Sequence, residues 1–197
     1  MQGLWGESRV RWLGWAMLGL VCGLGIAVGR SYWLSNFNEV SVGPWQASAS
    51  LGSRDAGRLA RAGLALNGIL ALNRHEALYY FAESDSGGRR LNGRCAYRIE
   101  GEDPDARWWS LTVYGPDRFL VRNPQHRYSA DRNSVTRRDG RRFVVRLDRD
   151  LDWVDRDWIA LPAGDFFVAL RLYNPADDSV NAPQTARLPE IVRERCA

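Results

Sequence analysis

Side chains that could carry out nucleophilic or metal-dependent catalysis are sparse in this sequence. It contains two histidines, His75 and His126, and no Gly-x-Ser-x-Gly motif to present a serine nucleophile. His75 is followed by Glu76, but the second histidine of a zinc-binding His-Glu-x-x-His helix is missing. No glycine-rich phosphate loop follows a predicted strand. We therefore predict no catalytic residue, no metal ligand and no cofactor.

Acidic residues form one dense run, with five aspartates at positions 148, 150, 152, 155 and 157. Alternating carboxylates can coordinate calcium, but an EF-hand loop starting at Asp148 would place Trp153 where glycine is needed and Ile159 where the bidentate glutamate is needed. Arginines at positions 149 and 156 would neutralise part of the charge. We interpret the run as a solvated loop, with a cation site as the alternative.

Aromatic and polar residues alternate in two segments, FFVALRLY (166–173) and RWWSLTVYG (107–115). Because successive side chains of a strand point to opposite faces, one face of each strand is apolar and the other mixes rings with polar groups. If the two strands share a sheet, the second face carries Trp108, Tyr114, Arg171 and Tyr173. Flat rings with a guanidinium suit a sugar or an anionic glycan. The alternative is that a helix covers this face and the rings belong to the core.

Basic residues surround a predicted hairpin turn at Asp139 and Gly140, namely Arg137, Arg138, Arg141 and Arg142. They lie in a net positive stretch that is followed by a net negative one, so this end of the domain could attract an anionic polymer or lipid headgroups. The chain as a whole has 27 basic residues, 23 acidic residues and a net charge of +4, which does not indicate nucleic-acid binding. A solvated hairpin tip is the alternative.

The elements that must position these residues follow from the change of hydrophobic period along the chain. Residues 53–72 repeat their apolar positions near a period of 3.6 and predict a helix. From Ala77 onward, short segments with a period of 2 alternate with turn clusters. The predicted strands are ALYYFAE, CAYRIEG, RWWSLTVYG, RFLVR, RRFVVRLD, DWIAL and FFVALRLY. This pattern predicts a mainly β protein, an antiparallel β-sandwich of jelly-roll type, with the one helix packed on it.

Near the N-terminus, residues 12–29 form 18 consecutive uncharged residues with arginines on both sides. This length just spans the hydrocarbon of a bilayer, and tryptophans cluster toward its ends. We predict a cytoplasmic tail (1–11), a transmembrane helix (12–29), a spacer (30–52) and an exported domain (53–197). The location would be the bacterial inner membrane, single-pass, with the N-terminus in the cytoplasm and the domain in the periplasm. A cleaved signal peptide is the alternative.

Glycines within the predicted anchor are spaced by four, as Gly19 with Gly23 and Gly25 with Gly29. This small-xxx-small spacing lets two helices approach closely in lipid, so the anchor could form a homodimer. Glycine is also common in transmembrane helices without any dimer. The partners predicted from sequence are therefore the membrane, through residues 12–29, an envelope glycan or anionic polymer, and a second copy of the chain.

The number and positions of the cysteines are consistent with export of the domain. Cys22 lies in the predicted anchor, and Cys95 and Cys196 are the two thiols of the exported part. An even number of thiols in an oxidising compartment favours a disulfide, with two separate buried thiols as the alternative.

The order of motifs resembles a bacterial family known as domain of unknown function 1214. The resemblance rests on EALYYFAESDSGGRRLNGRCAYRIEG, ARWWSLTVYG, NPQHRYS and FFVALRLYNP, in that order, and covers about residues 53–197. It implies a jelly-roll β-sandwich, often behind a membrane anchor, and brings no established activity. Cys95 and Cys196 fall at positions of the family pattern that agree with a disulfide. The family's Asn-Trp-Leu-Pro segment is replaced here by residues 157–162, with aspartate for asparagine.

Two functions are compatible with these observations. The first is a non-enzymatic, membrane-anchored envelope domain that binds a glycan, a lipid headgroup or a partner protein. The second is a hydrolase of envelope carbohydrate that uses Glu83 with Asp85, or Asp155 with Asp157, as acid and base. A glycosidase needs its two carboxyl groups roughly 5 to 9.5 Å apart, which a sequence does not show.

Overall fold

A computed structural model describes residues 4–36, 39–48, 72–149 and 156–196 of the chain. It divides into two compact units, Met1–Asn38 and Glu39–Ala197. The first unit is a helix, and the second is built mainly from strands.

The N-terminal unit is helix α1, Leu4–Asn36, which is 33 residues long. Its segment Trp12–Gly29 has a mean hydropathy of 1.8, and none of it is buried inside the protein. By length and composition this helix could cross a membrane, and a signal sequence would meet the same criterion. The helix extends beyond the predicted segment 12–29 at both ends.

Within the described residues, six strands form the first sheet, in the order β1-β2-β3-β10-β5-β6, and all neighbouring strands are antiparallel. Their bounds are β1 Glu39–Val42, β2 Trp45–Ser48, β3 Ala77–Ala82, β5 Ala106–Tyr114, β6 Ser129–Asp131 and β10 Phe167–Pro175.

The second sheet has five strands in the part of the chain that the structure describes, with the path β11-β4-β8-β7 and β9 added beside β8. The pair β8–β9 is parallel and the other pairs are antiparallel. The bounds are β4 Cys95–Glu102, β7 Arg137–Arg138, β8 Arg142–Asp148, β9 Trp158–Ala160 and β11 Glu190–Cys196. A short helix α2, Asp177–Asn181, and a 3-10 turn, Pro183–Thr185, connect β10 to β11.

The core lies between the two sheets because each strand places its apolar set on one face. Trp109 of β5 stacks on Phe143 of β8, with ring centroids 4.5 Å apart, and thereby joins the sheets. Tyr80, Leu111 and Leu170 of the first sheet belong to the same buried cluster. The second sheet contributes Tyr97, Ile99, Val145, Leu147, Ile159 and Ile191 to it. The mainly β, two-sheet prediction is confirmed, while the jelly-roll type stays a prediction.

The segment predicted as a spacer differs from the structure. Residues 30–36 continue α1, and β1 and β2 form a hairpin that pairs with β3 through Gln46 and Phe81. Trp45 is fully buried, and its indole Nε1 donates to the carbonyl of Pro189 at 2.7 Å. Gly43 has a φ of +57° at the first turn position, as a tight hairpin turn of the II′ kind requires, and Pro44 occupies the second turn position. The β-sheet unit therefore begins at Glu39 and not at residue 53.

The predicted hairpin at Asp139 and Gly140 forms, and both residues have positive φ, of 51° and 80°. The register pairs Arg138 with Arg142, so the loop has three residues rather than two.

One predicted strand does not form, and one predicted helix lies in a part of the chain that the structure does not describe. The segment RFLVR (118–122) is not a strand, because Arg118 has a φ of +66° and a turn interrupts the extended backbone, leaving one isolated bridge between Leu120 and Tyr114. The helix predicted for residues 53–72 lies outside the described residues, apart from Leu72.

Candidate functional site

The two strands with alternating aromatic residues are neighbours in the first sheet. In the β10–β5 register Tyr173 faces Trp108, Arg171 faces Ser110, and Phe167 faces Tyr114. Trp109, Leu111, Leu170 and Leu172 are buried, and they occupy the inner face. The other face, called the outer face below, therefore brings together all four residues that the sequence selected.

Two aromatic pairs mark the ends of the outer face. The rings of Trp108 and Tyr173 lie 5.2 Å apart, and those of Tyr114 and Phe167 are stacked at 5.4 Å with an interplanar angle of 15°. All four rings are half-buried. The distances fall within the range of favourable ring pairs, so each pair holds its rings in a fixed orientation.

Arg171 lies between these pairs. Its Nη2 donates a hydrogen bond of 2.5 Å to the Tyr114 hydroxyl, and its guanidinium carbon is 5.6 Å from the centre of the Tyr114 ring. In register, Ala169 and Thr112 separate the Arg171 row from the Phe167 row, so the arginine side chain crosses small residues. No carboxylate of the described residues forms an ion pair with Arg171.

Tyr79 of β3 faces Arg171 from the opposite strand. Burial raises the pKa of its hydroxyl, the nearby Tyr173 raises it further, and the Arg171 charge lowers it in part. Tyr79 thus stays neutral at physiological pH and presents a hydroxyl group beside the cation.

A second polar site lies in an open cleft where the β4–β5 connection meets the β7–β8 hairpin. It is lined by Asp103, Asp105, Arg107, Arg132, Arg137 and Arg141, among others. Asp103, with a side chain only 9% exposed, binds Arg137 through two hydrogen bonds, at 2.8 Å from Nε and 3.1 Å from Nη2. The indole of Trp109 donates a third bond to it, at 2.9 Å.

The ionisation of Asp103 reflects these contacts. Burial by itself raises the pKa of this carboxyl group, but the hydrogen bonds from Arg137 and Trp109 and the charges of Arg137 and Arg132 outweigh burial and lower it. The carboxylate therefore keeps its negative charge and neutralises Arg137.

The basic hairpin is consequently less basic than its sequence suggests. Arg137 is bound to Asp103, and Arg141 lies 3.4 Å from Asp105 in an exposed pair. Arg138 and Arg142 are exposed at the hairpin. The structure thus places the four arginines in two different environments, with one buried ion pair and three solvent-exposed side chains.

Cys95 and Cys196 form a disulfide with an S–S distance of 2.00 Å, across the β4–β11 pair. The prediction of a bridge is thus confirmed, and a disulfide is typical of proteins from oxidising compartments. Beside it, Arg193 donates to Asp85 at 2.8 Å, and Asp85 is 1% exposed.

The carboxylates proposed for hydrolysis have other partners. Asp85 accepts hydrogen bonds from Arg193 and Arg89, and although burial opposes this, those groups lower its pKa. A general acid needs a raised pKa, so this environment does not suit one. Glu83 is exposed and pairs with Arg90 at 3.3 Å.

The acidic run is described only in part, because Asp150, Asp152 and Asp155 lie outside the described residues. Asp157 accepts hydrogen bonds from the backbone of Thr136. Asp148 pairs with Arg195. Within the described residues, no group of three His, Cys, Asp or Glu side chains is placed to hold a metal ion.

Sequence reasoning did not select Asp103, Tyr79 or Phe167 as site residues. The alternation that selected Tyr173 places Phe167 on the same face of its strand, and the alternation of β3 could have selected Tyr79 in the same way. Asp103 offered no comparable signal, because its partner Arg137 is 34 residues away.

These features define a class of protein: a two-sheet β domain with a half-buried aromatic outer face, which follows an apolar helix in the sequence. The chain belongs to the family described as protein of unknown function (DUF1214), whose model matches residues 76–177. The resemblance is thereby confirmed over a narrower range than expected. The match contains all four outer-face residues selected from the sequence.

Comparison with solved structures shows the fold alone. The chain is similar to the VPA0106 protein from Vibrio parahaemolyticus, with 24% identity and a TM-score of 0.65, over 93% of this chain and 45% of that one. It thus spans less than half the length of that protein. An uncharacterized protein from Burkholderia cenocepacia matches with 16% identity and a TM-score of 0.40, over 61% of this chain and 29% of that one. No curated protein gives a significant match.

Proposed function

We propose that this protein is a non-enzymatic binding module of the bacterial cell envelope, and that the outer face binds an acidic glycan. The observation that carries the proposal is Arg171, a half-buried cation between two aromatic pairs with no carboxylate partner among the described residues. A half-buried cation beside aromatic rings suits a ligand that combines a sugar ring with an anionic group.

Two kinds of contact would bind such a ligand, namely packing against aromatic rings and hydrogen bonds from a guanidinium group. The rings of Trp108 and Tyr173 are tilted by 57° to each other, and the C–H groups of a sugar ring can pack on the face of either ring. Among the described residues, Tyr114 takes one guanidinium hydrogen of Arg171, and the other guanidinium hydrogens can bind a carboxylate. The rings would therefore contribute affinity, and the cation would select acidic over neutral sugars.

The location that accompanies this proposal is the inner membrane. In this proposed arrangement, residues 12–29 of α1 span the bilayer with the N-terminus in the cytoplasm, and the β-sheet unit lies in the periplasm. The apolar segment and the disulfide support export. The glycine pairs of α1, Gly19 with Gly23 and Gly25 with Gly29, offer a route to a homodimer in the membrane.

The exposed arginines Arg138 and Arg142, with Arg141, offer a second contact for an anionic polymer. Their role would be to raise the rate of encounter, because exposed charges are screened by salt and contribute little to affinity. The hydrolase alternative has less support for the pair Glu83 and Asp85, since Asp85 has a lowered pKa and Glu83 an exposed ion pair. The pair Asp155 and Asp157 stays a prediction, because Asp155 lies outside the described residues.

The proposal is tested by retention on polysaccharide gels. Full-length protein in detergent is run through gels that contain polygalacturonate, an acidic polymer of sugar rings, or neutral pullulan. Retention by polygalacturonate alone is expected. Arg171→Gln should weaken it about tenfold or more, because hydrogen bonds between charged groups contribute about 1.5–3 kcal/mol. Tyr173→Ala should weaken it as well, through loss of ring contact.

The matched control is Tyr128→Ala, which removes a half-buried ring outside the outer face, in the connection between β5 and β6, where it pairs with His126. This variant should leave retention unchanged. Thermal unfolding of each variant separates binding from packing. If Tyr173→Ala costs about 3 kcal/mol of stability and leaves retention intact, the ring belongs to the core and the proposal is wrong.

A further inference from the structure

Large apolar side chains that are exposed in the described part of the β-sheet unit occur together, at Phe119 and Leu120. Phe119 is 73% exposed and Leu120 45%, whereas the other exposed large apolar residues belong to α1. Both lie in residues 115–128, called the apolar loop below, which connects β5 to β6. Exposing two adjacent large side chains has a cost in water, so this loop needs a partner to explain it.

Hydrogen bonds hold the apolar loop in the shape that exposes these residues. The backbone N–H of Gly115 donates to the carbonyl of Phe119 at 2.9 Å, and that of Arg118 donates to Gly115 at 3.0 Å. The N–H of Phe119 donates to a carboxylate oxygen of Asp117 at 3.1 Å. The exposure therefore results from a formed turn.

The apolar loop is also basic. Arg118 and Arg122 flank the exposed pair, both are exposed, and Arg127 follows in the same loop. Asp117 is the one acidic residue between positions 115 and 128. An apolar tip between guanidinium groups matches the interfacial region of an anionic bilayer, where acyl chains lie directly below the phosphate groups.

We propose that the apolar loop inserts Phe119 and Leu120 into the anionic lipid surface of the bilayer that α1 crosses, while Arg118 and Arg122 bind the headgroup phosphates. The inference rests on the anchor part of the proposed function and is independent of the glycan. Two apolar residues and two arginines bind a bilayer weakly by themselves. A chain tethered to that bilayer has a high effective concentration at its surface, so weak contact is sufficient.

The test uses the full chain, reconstituted through α1 into lipid nanodiscs. A Cys22→Ser background removes the free thiol, and Leu120→Cys accepts an environment-sensitive NBD label without reduction of the disulfide. The matched control carries the label at Gln184→Cys, an exposed position in the 3-10 turn. Discs contain phosphatidylcholine with or without phosphatidylglycerol, and a lipid-borne doxyl group quenches any label that enters the bilayer.

We expect quenching and a blue-shifted emission at position 120 in discs with phosphatidylglycerol, and neither change at position 184. Both signals should fall when 1 M salt shortens the screening length to about 3 Å. Arg118→Ser with Arg122→Ser should reduce them in low salt too, and Phe119→Ser should reduce them at any salt concentration.

Three results would overturn the inference. Position 120 could stay unquenched in discs that have bound the chain, which leaves a protein partner as the occupant of the apolar loop. Quenching could be equal at 120 and 184, which would indicate unspecific contact of the whole domain. A chain that does not co-purify with the discs would refute the anchor, and this inference with it, whereas loss of quenching in co-purified discs refutes the loop contact alone.

Discussion

Asp103→Asn is the substitution for which the structure gives the most definite consequence. Asparagine keeps the size of the side chain and one oxygen for the Trp109 indole, but it removes the charge that neutralises Arg137. Loss of one partner of a fully buried ion pair costs about 3–5 kcal/mol. Because the Arg137 side chain is 25% exposed and water can reach it, we expect a smaller loss, of about 2 kcal/mol.

The matched control is Asp105→Asn in the same cleft. Asp105 lies 3.4 Å from Arg141, and both side chains are more than half exposed. Exposed pairs contribute at most about 1 kcal/mol, so this substitution should cost about 0.5 kcal/mol or less. In a domain of this size, Asp103→Asn should then lower the melting temperature by about 4–8 °C, and the control by about 2 °C at most.

The assay is urea unfolding of the full chain in detergent, followed by tryptophan fluorescence, at several pH values. The pKa of Asp103 is lower in the folded protein than in the unfolded chain, where it is about 3.9. The stabilisation is therefore fully present above about pH 5 and is lost as the pH falls through the lower folded value. The difference between wild type and Asp103→Asn should decrease in the same acidic range.

Two results would contradict this reasoning. If Asp103→Asn and Asp105→Asn lowered the free energy of unfolding equally, burial would not make the Asp103–Arg137 ion pair stronger than the exposed Asp105–Arg141 pair. A difference between wild type and Asp103→Asn that stays constant down to pH 2 would mean that the charge of Asp103 is not the source of the stabilisation.

Two further predictions concern location and the disulfide. A reporter fused after Ala197 should be active only outside the cytoplasm, and the mature protein should retain residues 1–29; a soluble form that starts near Arg30 would instead identify a signal peptide. Cys196→Ser opens a loop of about 100 residues, worth up to about 4.7 kcal/mol in the chain-entropy model, so it should lower the melting temperature by several degrees. The wild-type thiols should resist alkylation until reduced, and free Cys95 in protein from the envelope would refute the bridge.

Local patterns were enough for several parts of this fold. The alternation in residues 107–115 and 166–173 predicted which side chains share the outer face, because the pleat of a strand fixes the face of every residue. Asp139 with Gly140 predicted a turn with two positive φ angles. The apolar segment 12–29 predicted the helix that could cross a membrane.

Tertiary structure decided which elements are neighbours. The pairing of Tyr173 with Trp108 and the bond from Arg171 to Tyr114 join residues 57 or more positions apart, and no local period encodes such a pairing. Strands β1 and β2 are four residues each, too short for a reliable period, and the burial of Trp45 between sheets holds them in place.

The charge of the basic hairpin was likewise decided by tertiary contacts. In sequence, Arg137 is one of four similar arginines, yet its position beside the buried Asp103 makes it part of a buried ion pair. A strand's faces follow from the geometry of its own backbone, so the sequence by itself determines them. The free energy of an ion pair or a ring pair depends on groups far apart in the chain, and only the folded protein brings those groups together.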